Sequence, residues 1–552
     1  MNSGEKGRAA LWFLYPACLA AVVAALYLFT LYPGVGGETD TAKWQFVGKV
    51  LGMPHITGYP LYVLVNHVFS FLPVGTLAWR INFMSAFFAV LAVVLLQRIL
   101  RGLLNSELLA LGGALVLAVS PMFWTFAVAA GVYSLNAFFI CLVMYLLFKW
   151  ADARRGRPAG GREGRGYFYA ACFAYALSLG NHVTMITMLP ALVIFALATD
   201  WRAVLSMKTM LLSLLFVMLL AGLYIFPFIQ TAMPSPYLEN RVRTFDDLWR
   251  LLTATGFRQY LFAGGTTGLV EMQLPFYISQ VSAQFTFFSL LLIMAGLLVL
   301  GWEHGRKLAF VATFLGANLC MALNYYVSHA QLQYQFIPSY VFLALVIGMV
   351  PGAANALAPH MDRGTRRMFS GAALLVLVGL AGLLVEGNIA KIQAKQREMA
   401  LNEKLANDVI EALPKDGVIL ANSYNDSMIF MYKMVGERRE SEKRWRVLHD
   451  TSWRITRVEP DPTHMTDGRT VYDLSAVERL MRGEKVDWSP LSLEEGGPIR
   501  HAVYFSSGDK PLLDRAGYTS EAVDLPGNGT GENCYGGRTI RLYRITGQVT
   551  PR

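Results

Sequence analysis

Two carboxylates, Glu38 and Asp40, lie just after the first long apolar run of the chain, in the stretch GVGGETDTAKWQF. A carboxylate beside an apolar segment can act as a general base on a hydroxyl or hold a metal ion. Partial burial would raise its pKa towards a useful value. The competing interpretation is that both acids are solvated in an exposed loop, and only the residues that follow favour chemistry.

Those residues form the string HITGYPLY, which predicts a tight turn at Gly58 and a helix that begins at Pro60. His55 is a candidate for orienting a substrate hydroxyl or a phosphate. Tyr59 either faces the same substrate or anchors the loop at the membrane interface, where tyrosine is enriched. The apolar stretch that follows, residues 60–75, is too short to span a bilayer and is typical of a helix lying at the interface.

A second polar pair, Asn181 and His182, separates two apolar segments. Polar residues at membrane depth usually line a cavity, although a cap of a helical turn is an equally good interpretation. Polar side chains also precede the apolar stretch FIPSYVFLAL and are candidates for the same cavity: Gln331, Gln333, Tyr334 and Gln335.

Arginine recognises phosphate through a two-pronged set of hydrogen bonds, so outward-facing arginines are candidates for binding a lipid phosphate. Taken singly, each is as well explained by a solvated or snorkelling side chain. The candidates are Arg80, Arg241, Arg243 and Arg258.

The composition places these residues in a membrane protein. Of 552 residues, 54% are hydrophobic and only 16% are charged, and the mean hydropathy is +0.40. The net charge of +10 comes largely from short loops between apolar runs, a pattern that sets membrane orientation rather than one that binds nucleic acid. The five cysteines form no disulfide pattern and no metal-binding motif.

The sequence predicts an α-helical polytopic protein with about eleven transmembrane helices. The Lys and Arg residues of the loops predict a cytoplasmic N-terminus, retained as the first span, and an outer C-terminus. Two large outer loops follow, at residues 33–78 and 230–275. The expected spans are residues 10–32, 79–97, 107–126, 132–148, 167–181, 183–199, 209–229, 276–301, 308–326, 334–350 and 369–388.

The composition changes at residue 389, which divides the chain into a membrane domain (1–388) and a soluble region (389–552). Alternating strand and helix patterns in the second part predict a small α/β domain, with a helix at DLSAVERLMRG. Neither region contains GxGxxG or GxxxxGK[ST], so no nucleotide site is expected.

The stretch from GGETDTAKW to WRINFMSA resembles the opening of a family of polytopic proteins known as DUF2723, whose animal member is a protein O-mannosyltransferase acting on plexin-type receptors. The strings HITGYPL, AGVYSLNAFF, LSLGNHVTM and FIPSYVFLAL resemble further family blocks, so the likeness runs over most of residues 33–350. Spacing back from His55 aligns Asp40 with the aspartate of the family.

This family is similar to the GT-C glycosyltransferases, which transfer a sugar from a polyprenyl-phosphate lipid to an acceptor outside the membrane. The resemblance implies that Asp40 is the general base and that residues 59–75 shape the cavity. The chain departs from the family where Lys43, Gly131 and Val183 replace two carboxylates and a histidine. Glu38 is a candidate substitute for one of those carboxylates.

The sequence therefore predicts a glycosyltransferase of a bacterial inner membrane, with Asp40 as base and the outer α/β domain helping to position the acceptor. The donor would be a hexose such as mannose on polyprenyl phosphate, and the acceptor a protein or glycan hydroxyl. A divalent metal is compatible with such chemistry, but no cluster of ligands in the sequence supports one. A transporter or flippase and an inactive scaffold with a partner-binding outer domain are the alternatives.

Overall fold

The computed structural model describes residues 3–37, 40–233, 235, 237–327, 329–357, 360–412, 416–421 and 424–437, and seven strands after them. The first half of the membrane part consists of helices α1 (Ser3–Thr30), α2 (Thr41–Val47), α3 (Pro60–Phe69), α4 (Leu77–Leu104), α5 (Leu111–Val119), α6 (Pro121–Ala127), α7 (Val132–Arg154), α8 (Arg165–Leu179), α9 (Leu189–Val204) and α10 (Met207–Leu223). A 3₁₀ segment, Val183–Met188, leads into α9.

The second half continues with α11 (Phe226–Ala232), α12 (Phe245–Leu252), α13 (Gly265–Gly268), α14 (Leu274–Phe285), α15 (Ser289–Leu323), α16 (His329–Leu332), α17 (Ile337–Ile347), α18 (Ala353–Leu357), α19 (Arg363–Ala412) and α20 (Tyr424–Met431). Helix α19 is one continuous helix of 50 residues. The expected domain boundary at residue 389 therefore lies within a helix rather than in a linker.

Eight helices within the described residues are long and apolar enough to cross a membrane. They are Phe13–Thr30, Leu77–Leu104, Val132–Arg154, Val183–Val204, Met207–Ala232, Ser289–Leu323, Gln333–Ala356 and Arg363–Glu411. All eleven expected spans coincide with helical segments, and their number and position agree with a multi-pass membrane protein.

The difference between eleven and eight has local causes. Pro121 begins a new helix and divides the expected span 107–126 into two short helices, because proline cannot donate the backbone hydrogen bond that would continue α5. Helix α8 has only 15 residues. The expected span 276–301 begins in α14, and its later part is joined to the expected span 308–326 within α15, where His304 alone has a non-helical backbone, with φ −141° and ψ 46°.

A buried asparagine, Asn82 on α4, ties together the segments beneath the first loop. Its Oδ1 accepts hydrogen bonds from Gln45 Nε2 on α2 (3.1 Å) and from the backbone N–H of Ala130 (2.8 Å). Its Nδ2 donates to the carbonyl of Tyr32 (2.9 Å). Because a buried amide is costly unless all its groups are paired, this network fixes α2 against the ends of α1 and α7.

The C-terminal region contains the expected mixture of strands and helix. Strand β1 (Asp416–Ala421) lies between β2 (Arg444–Leu448) and β5 (Ala502–Ser506) and pairs with both in parallel. The other strands are β3 (Arg454–Thr456), β4 (Thr470–Tyr472), β6 (Tyr518–Val523), β7 (Asn533–Tyr535) and β8 (Arg538–Gln548). Strand β8 pairs antiparallel with β5, β6 and β7. The helix expected at residues 473–483 lies outside the described residues.

Helix α20 and the turn that follows it join this region to the first loop. The Tyr432 hydroxyl accepts a hydrogen bond of 3.0 Å from the backbone N–H of Ala78, at the start of α4. Glu403 on α19 pairs with Lys433 and also accepts from the backbone N–H of Val35 (3.0 Å). The C-terminal region is thereby fastened to both ends of the first loop.

Candidate functional site

The first loop folds so that Asp40 and Lys43 face the same side of α2. Asp40 occupies the position before the first helical residue, and a spacing of three residues places side chains on one helix face. Lys43 Nζ lies 2.9 Å from Asp40 Oδ1. The lysine side chain is only 1% exposed, whereas that of Asp40 is 32% exposed, so the cation is enclosed and the acid faces open space.

The turn predicted at Gly58 is present and begins α3 as expected. Gly58 has φ +78° and Tyr59 has φ +46°, both in the left-handed region, and Pro60 is the first residue of α3. Any side chain at Gly58 would also approach Leu251 of the second loop to 3.1 Å. The turn therefore needs glycine for its backbone and for contact between the loops.

A short backbone pairing between the two loops brings Glu239 into the site. The Met53 N–H donates to the Tyr237 carbonyl (2.9 Å), and the Glu239 N–H donates to the Met53 carbonyl (2.8 Å). Asn240 Nδ2 donates to the Pro54 carbonyl (3.2 Å). These bonds position the side chain of Glu239, whose Oε1 lies 3.2 Å from the Nζ of the buried lysine on α2.

His55 completes the group around Lys43. Its Nδ1 lies 2.6 Å from Lys43 Nζ, and since an ammonium group only donates, Nδ1 accepts and the ring proton resides on Nε2. That nitrogen lies 3.3 Å from the hydroxyl of Tyr59. Burial, and then the positive charge of Lys43, lower the pKa of His55, although Asp40 and Glu239 oppose the shift. His55 is therefore a neutral imidazole at physiological pH.

These groups form one end of a cavity of about 530 Å³. Its other walls are largely aromatic: the rings of Tyr59 and His182 lie 5.8 Å apart, and those of Tyr133 and Tyr334 lie 5.9 Å apart. The lining residues are Asp40, Lys43, His55, Ile56, Thr57, Tyr59, Tyr133, His182, Val183, Thr184, Glu239, Thr253, Ala254, Arg258, Leu261, Met321, Ala322, Tyr325, Tyr334 and Gln335. Aromatic faces beside charged groups are suited to a sugar linked to a phosphate.

His182 is held in a fixed orientation at the cavity wall. Its Nδ1 accepts from the Thr184 hydroxyl (2.6 Å) and from the Thr184 N–H (3.3 Å). Burial, with a smaller contribution from His55, lowers the pKa of His182 to about 4. Its neighbour Asn181 is fully buried, and Asn181 Nδ2 donates to the carbonyl of Val132 (3.3 Å) instead of lining the cavity.

The structure divides the predicted site residues into two groups. Those that line the cavity are Asp40, His55, Tyr59, His182 and Arg258, together with Tyr334 and Gln335. Those that are described but do not line it are Arg80, Asn181, Arg241, Arg243 and Gln333. Glu38 lies outside the described residues.

Arg80 has a structural role that could not be predicted from its position in the sequence. Its guanidinium donates to three backbone carbonyls of the turn after α3, those of Ser70 (2.9 Å), Val74 (3.0 Å) and Gly75 (3.0 Å). Arginine donors used in this way hold the loop and are not directed at a phosphate in the cavity. Arg258, in contrast, is an exposed cation on the cavity wall.

Sequence reasoning missed Glu239 and treated Lys43 only as a departure from the family pattern. No spacing links Glu239 to Asp40, because the backbone pairing at Met53 joins segments that are distant in sequence. Within the part of the chain that the structure describes, there is no group of three or more His, Cys, Asp or Glu side chains that could hold a metal ion. The acids and the imidazole instead surround an ammonium.

The helices and their cavity define a multi-pass membrane protein with a GT-C-like fold. The crystal structure of ArnT from Cupriavidus metallidurans bound to undecaprenyl phosphate matches with a TM-score of 0.60 and 12% identity, over 98% of this chain and 99% of that one. Its apo state matches with a TM-score of 0.60 and 11% identity, over 97% and 98%. At these identities the likeness concerns the fold alone.

Residues 40–205 match the family described as the protein O-mannosyl-transferase TMEM260 N-terminal domain. The Dictyostelium discoideum protein O-mannosyl-transferase tmem260 is 26% identical over 286 residues, which are 50% of this chain and 35% of the relative. The Mus musculus protein of the same name is 28% identical over 265 residues, 47% of this chain and 36% of the relative. The chain thus spans about a third of these relatives, and the matched family region includes residues 40–78 of the first loop but not Glu239 or Arg258.

Proposed function

We propose that the protein is a membrane glycosyltransferase that moves mannose or another hexose from a polyprenyl-phosphate lipid to a hydroxyl acceptor on the outer side of the membrane. The observation that carries this proposal is the partly exposed carboxylate of Asp40 on a cavity whose walls combine tyrosine rings with the cation of Arg258. The names of the two relatives, both protein O-mannosyl-transferases, support the reaction class. The similarity of the fold to a structure with bound undecaprenyl phosphate supports a lipid-linked donor.

In the proposed reaction the acceptor oxygen attacks the anomeric carbon as the bond from that carbon to the phosphate oxygen breaks. Asp40 takes the acceptor proton, and the polyprenyl phosphate leaves with the bonding electrons, so the anomeric configuration is inverted. Arg258 balances the charge that develops on the phosphate. The neutral ring of His55 and the hydroxyl of Tyr59 hydrogen-bond to each other at the cavity and orient the sugar. The acceptor is a serine or threonine of a protein or a glycan hydroxyl.

The membrane we propose is a bacterial inner membrane, with the N-terminus in the cytoplasm and residues 389–552 outside. The concentration of Lys and Arg in alternate short loops supports this orientation. The two relatives are eukaryotic, so the proposal of a bacterial membrane is tested separately, by fractionation of the native cells. Protease accessibility of a C-terminal tag in intact spheroplasts tests the orientation.

The activity is tested with full-length protein in lipid nanodiscs, undecaprenyl-phosphate [³H]mannose as donor and a pool of Ser/Thr-rich peptides or oligosaccharides as acceptors. We expect labelled acceptor and released undecaprenyl phosphate in equal amounts, and product of inverted configuration. Donors carrying glucose or galactose on the same lipid test which hexose is used. Absence of transfer with every polyprenyl-phosphate hexose would contradict the donor class.

A further inference from the structure

The ammonium of Lys43 lies at a point where two carboxylates and an imidazole converge. Its distances are 2.9 Å to Asp40 Oδ1, 3.2 Å to Glu239 Oε1 and 2.6 Å to His55 Nδ1. Two carboxylates and an imidazole are the side chains that a divalent ion commonly takes in proteins. Here a single positive charge, 1% exposed, occupies the centre of that set.

The two carboxylates reach this point from different loops. Asp40 precedes α2, and Glu239 is held by the backbone pairing with Met53. Glu239 is 14% exposed and also accepts a hydrogen bond from the hydroxyl of Tyr237, so its position is well determined. Lys43 therefore connects the first and second loops through charge, in addition to the backbone bonds at Met53.

The charges explain why a cation is needed at this position. Two carboxylates that converge on one point repel each other, and a cation between them offsets that repulsion. The ammonium of Lys43 lies between the two acids, and the imidazole of His55 accepts its third contact.

We propose that Lys43 is the built-in cation of this centre and that, with its ammonium in place, Asp40, Glu239 and His55 hold no divalent ion. Glu239 is then a positioning residue, which holds Lys43 and through it Asp40. The catalytic consequence rests on the proposed function, but the occupancy of the centre by Lys43 does not. Two measurements that use neither donor nor acceptor test this occupancy. An error in the proposed sugar donor would therefore leave both results unchanged, whereas an error in the proposed role of Lys43 would alter them.

The first measurement is Mn²⁺ binding, followed by electron paramagnetic resonance with the full-length protein in nanodiscs and Mn²⁺ alone as probe. Lys43→Ala removes the ammonium and leaves the three ligands, which need to move inward by only about 1 Å to reach metal–ligand distances near 2 Å. We expect Lys43→Ala to bind Mn²⁺ at least tenfold more tightly than wild type, and Asp40→Asn or Glu239→Gln in that background to abolish the gain. The matched control is Lys49→Ala, a lysine just beyond α2 that lies over the ring of Phe71, which should bind as wild type.

Wild-type protein that already binds Mn²⁺ as tightly as Lys43→Ala, in a manner that depends on Asp40, would overturn the proposal. Equal weak binding by wild type and Lys43→Ala would overturn it as well, because the three groups would then not form a cation site. Neither outcome involves the sugar donor.

The second measurement is the unfolding temperature in detergent. Removing one partner of a buried ion pair leaves uncompensated charge, so Lys43→Met should lower this temperature by roughly 3–5 °C. Adding Glu239→Gln removes one of the two repelling acids, and we expect it to restore at least half of that loss. Asp246→Asn, which breaks an exposed pair with Arg250 in the second loop, should change the temperature by less than about 2 °C. A double variant that is as unstable as the two single losses added together would contradict the bridging role.

Discussion

Two of the clusters in the described part of this protein each contain a buried cation with two acids, and one of the two lines the cavity described above. In the first, Lys43 lies between Asp40 and Glu239. In the second, Arg154 at the end of α7 pairs with Asp200 (2.9 Å) and Glu163 (3.0 Å). Both cations are almost fully enclosed, with 1% and 2% of their side chains exposed.

The two clusters differ in their aspartates, whereas the second acid beside Arg154, Glu163, is 48% exposed. Asp200 is completely buried at the break within α9, and its oxygens accept from the N–H groups of Gly160 (2.9 Å) and Ala203 (3.0 Å) in addition to the guanidinium. Asp40 is one third exposed and lies on the cavity wall. A carboxylate that is saturated by donors holds a structure together, whereas one that reaches open space can meet a substrate. Charge pattern alone therefore does not identify a catalytic acid.

The largest expected effect separates the two aspartates by activity. Asp40→Asn removes the proposed base while keeping the size of the side chain, so we expect hexose transfer to fall by about 10²–10⁴-fold. Its unfolding temperature should stay within a few degrees of wild type. Transfer assays with undecaprenyl-phosphate mannose measure the rate, and Asp246→Asn, an exposed acid of the second loop, is the control. Equal rates in Asp40→Asn and Asp246→Asn would eliminate Asp40 as the base.

The second effect separates the clusters by stability. Arg154→Met leaves the buried carboxylate of Asp200 without its cation, which costs about 3–5 kcal/mol of the free energy of unfolding. We expect lower abundance in membranes and a lower unfolding temperature, with kcat per folded molecule unchanged. Arg157→Met, which removes an arginine that is 53% exposed from the same loop, should change stability by less than about 1 kcal/mol. Similar losses in the two variants would mean that burial does not determine the strength of this pair.

The elements around both clusters were predictable where the signals are local. The turn at Gly58 and the helix beginning at Pro60 depend on neighbouring residues, and each is present. The apolar runs likewise predicted the helices, because a bilayer requires about 20 apolar residues in sequence.

What could not be predicted depends on contacts between distant segments. Glu239 reaches the site only because Met53 pairs with Leu238, and no local pattern marks that pairing. Arg80 looked like a phosphate ligand since its type suits phosphate, yet three nearby carbonyls engage its guanidinium. The type of a side chain shows which ligands it could bind, but its contacts in the folded protein determine whether its donors face a cavity.

The third effect concerns the pH dependence of transfer and is expected to be about one pH unit. Lys43→Met removes the positive charge beside Asp40, so the acid limb of the kcat/KM profile should move to higher pH. Glu239→Gln removes a negative charge and should move the same limb to lower pH. The charged and titratable groups around this acid include Lys43, Glu239, His55, Tyr59 and Tyr133. If Lys43 and Glu239 had a purely structural role, the two variants would not shift the acid limb in opposite directions. Arg154→Met should leave the profile unchanged.

The smallest effect concerns His182, which lines the cavity and has no counterpart in the Arg154 cluster as described above. The pKa of His182 is lowered to about 4, whereas histidine in an unfolded chain has an ordinary value near 6.5. Between these values the unfolded chain binds a proton that the folded protein does not, so stability rises with pH across this window and is lost as the pH falls through it. The slope from one such group is at most about 1.4 kcal/mol per pH unit. His55, whose pKa is also lowered, adds to it in the same direction.

We expect His182→Gln to reduce the fall in unfolding temperature between pH 6.5 and pH 4.5 and to leave the part due to His55. An unchanged pH dependence in that variant would show that His182 does not titrate within this window, and would remove the histidine from the features that set the cavity apart from the Arg154 cluster.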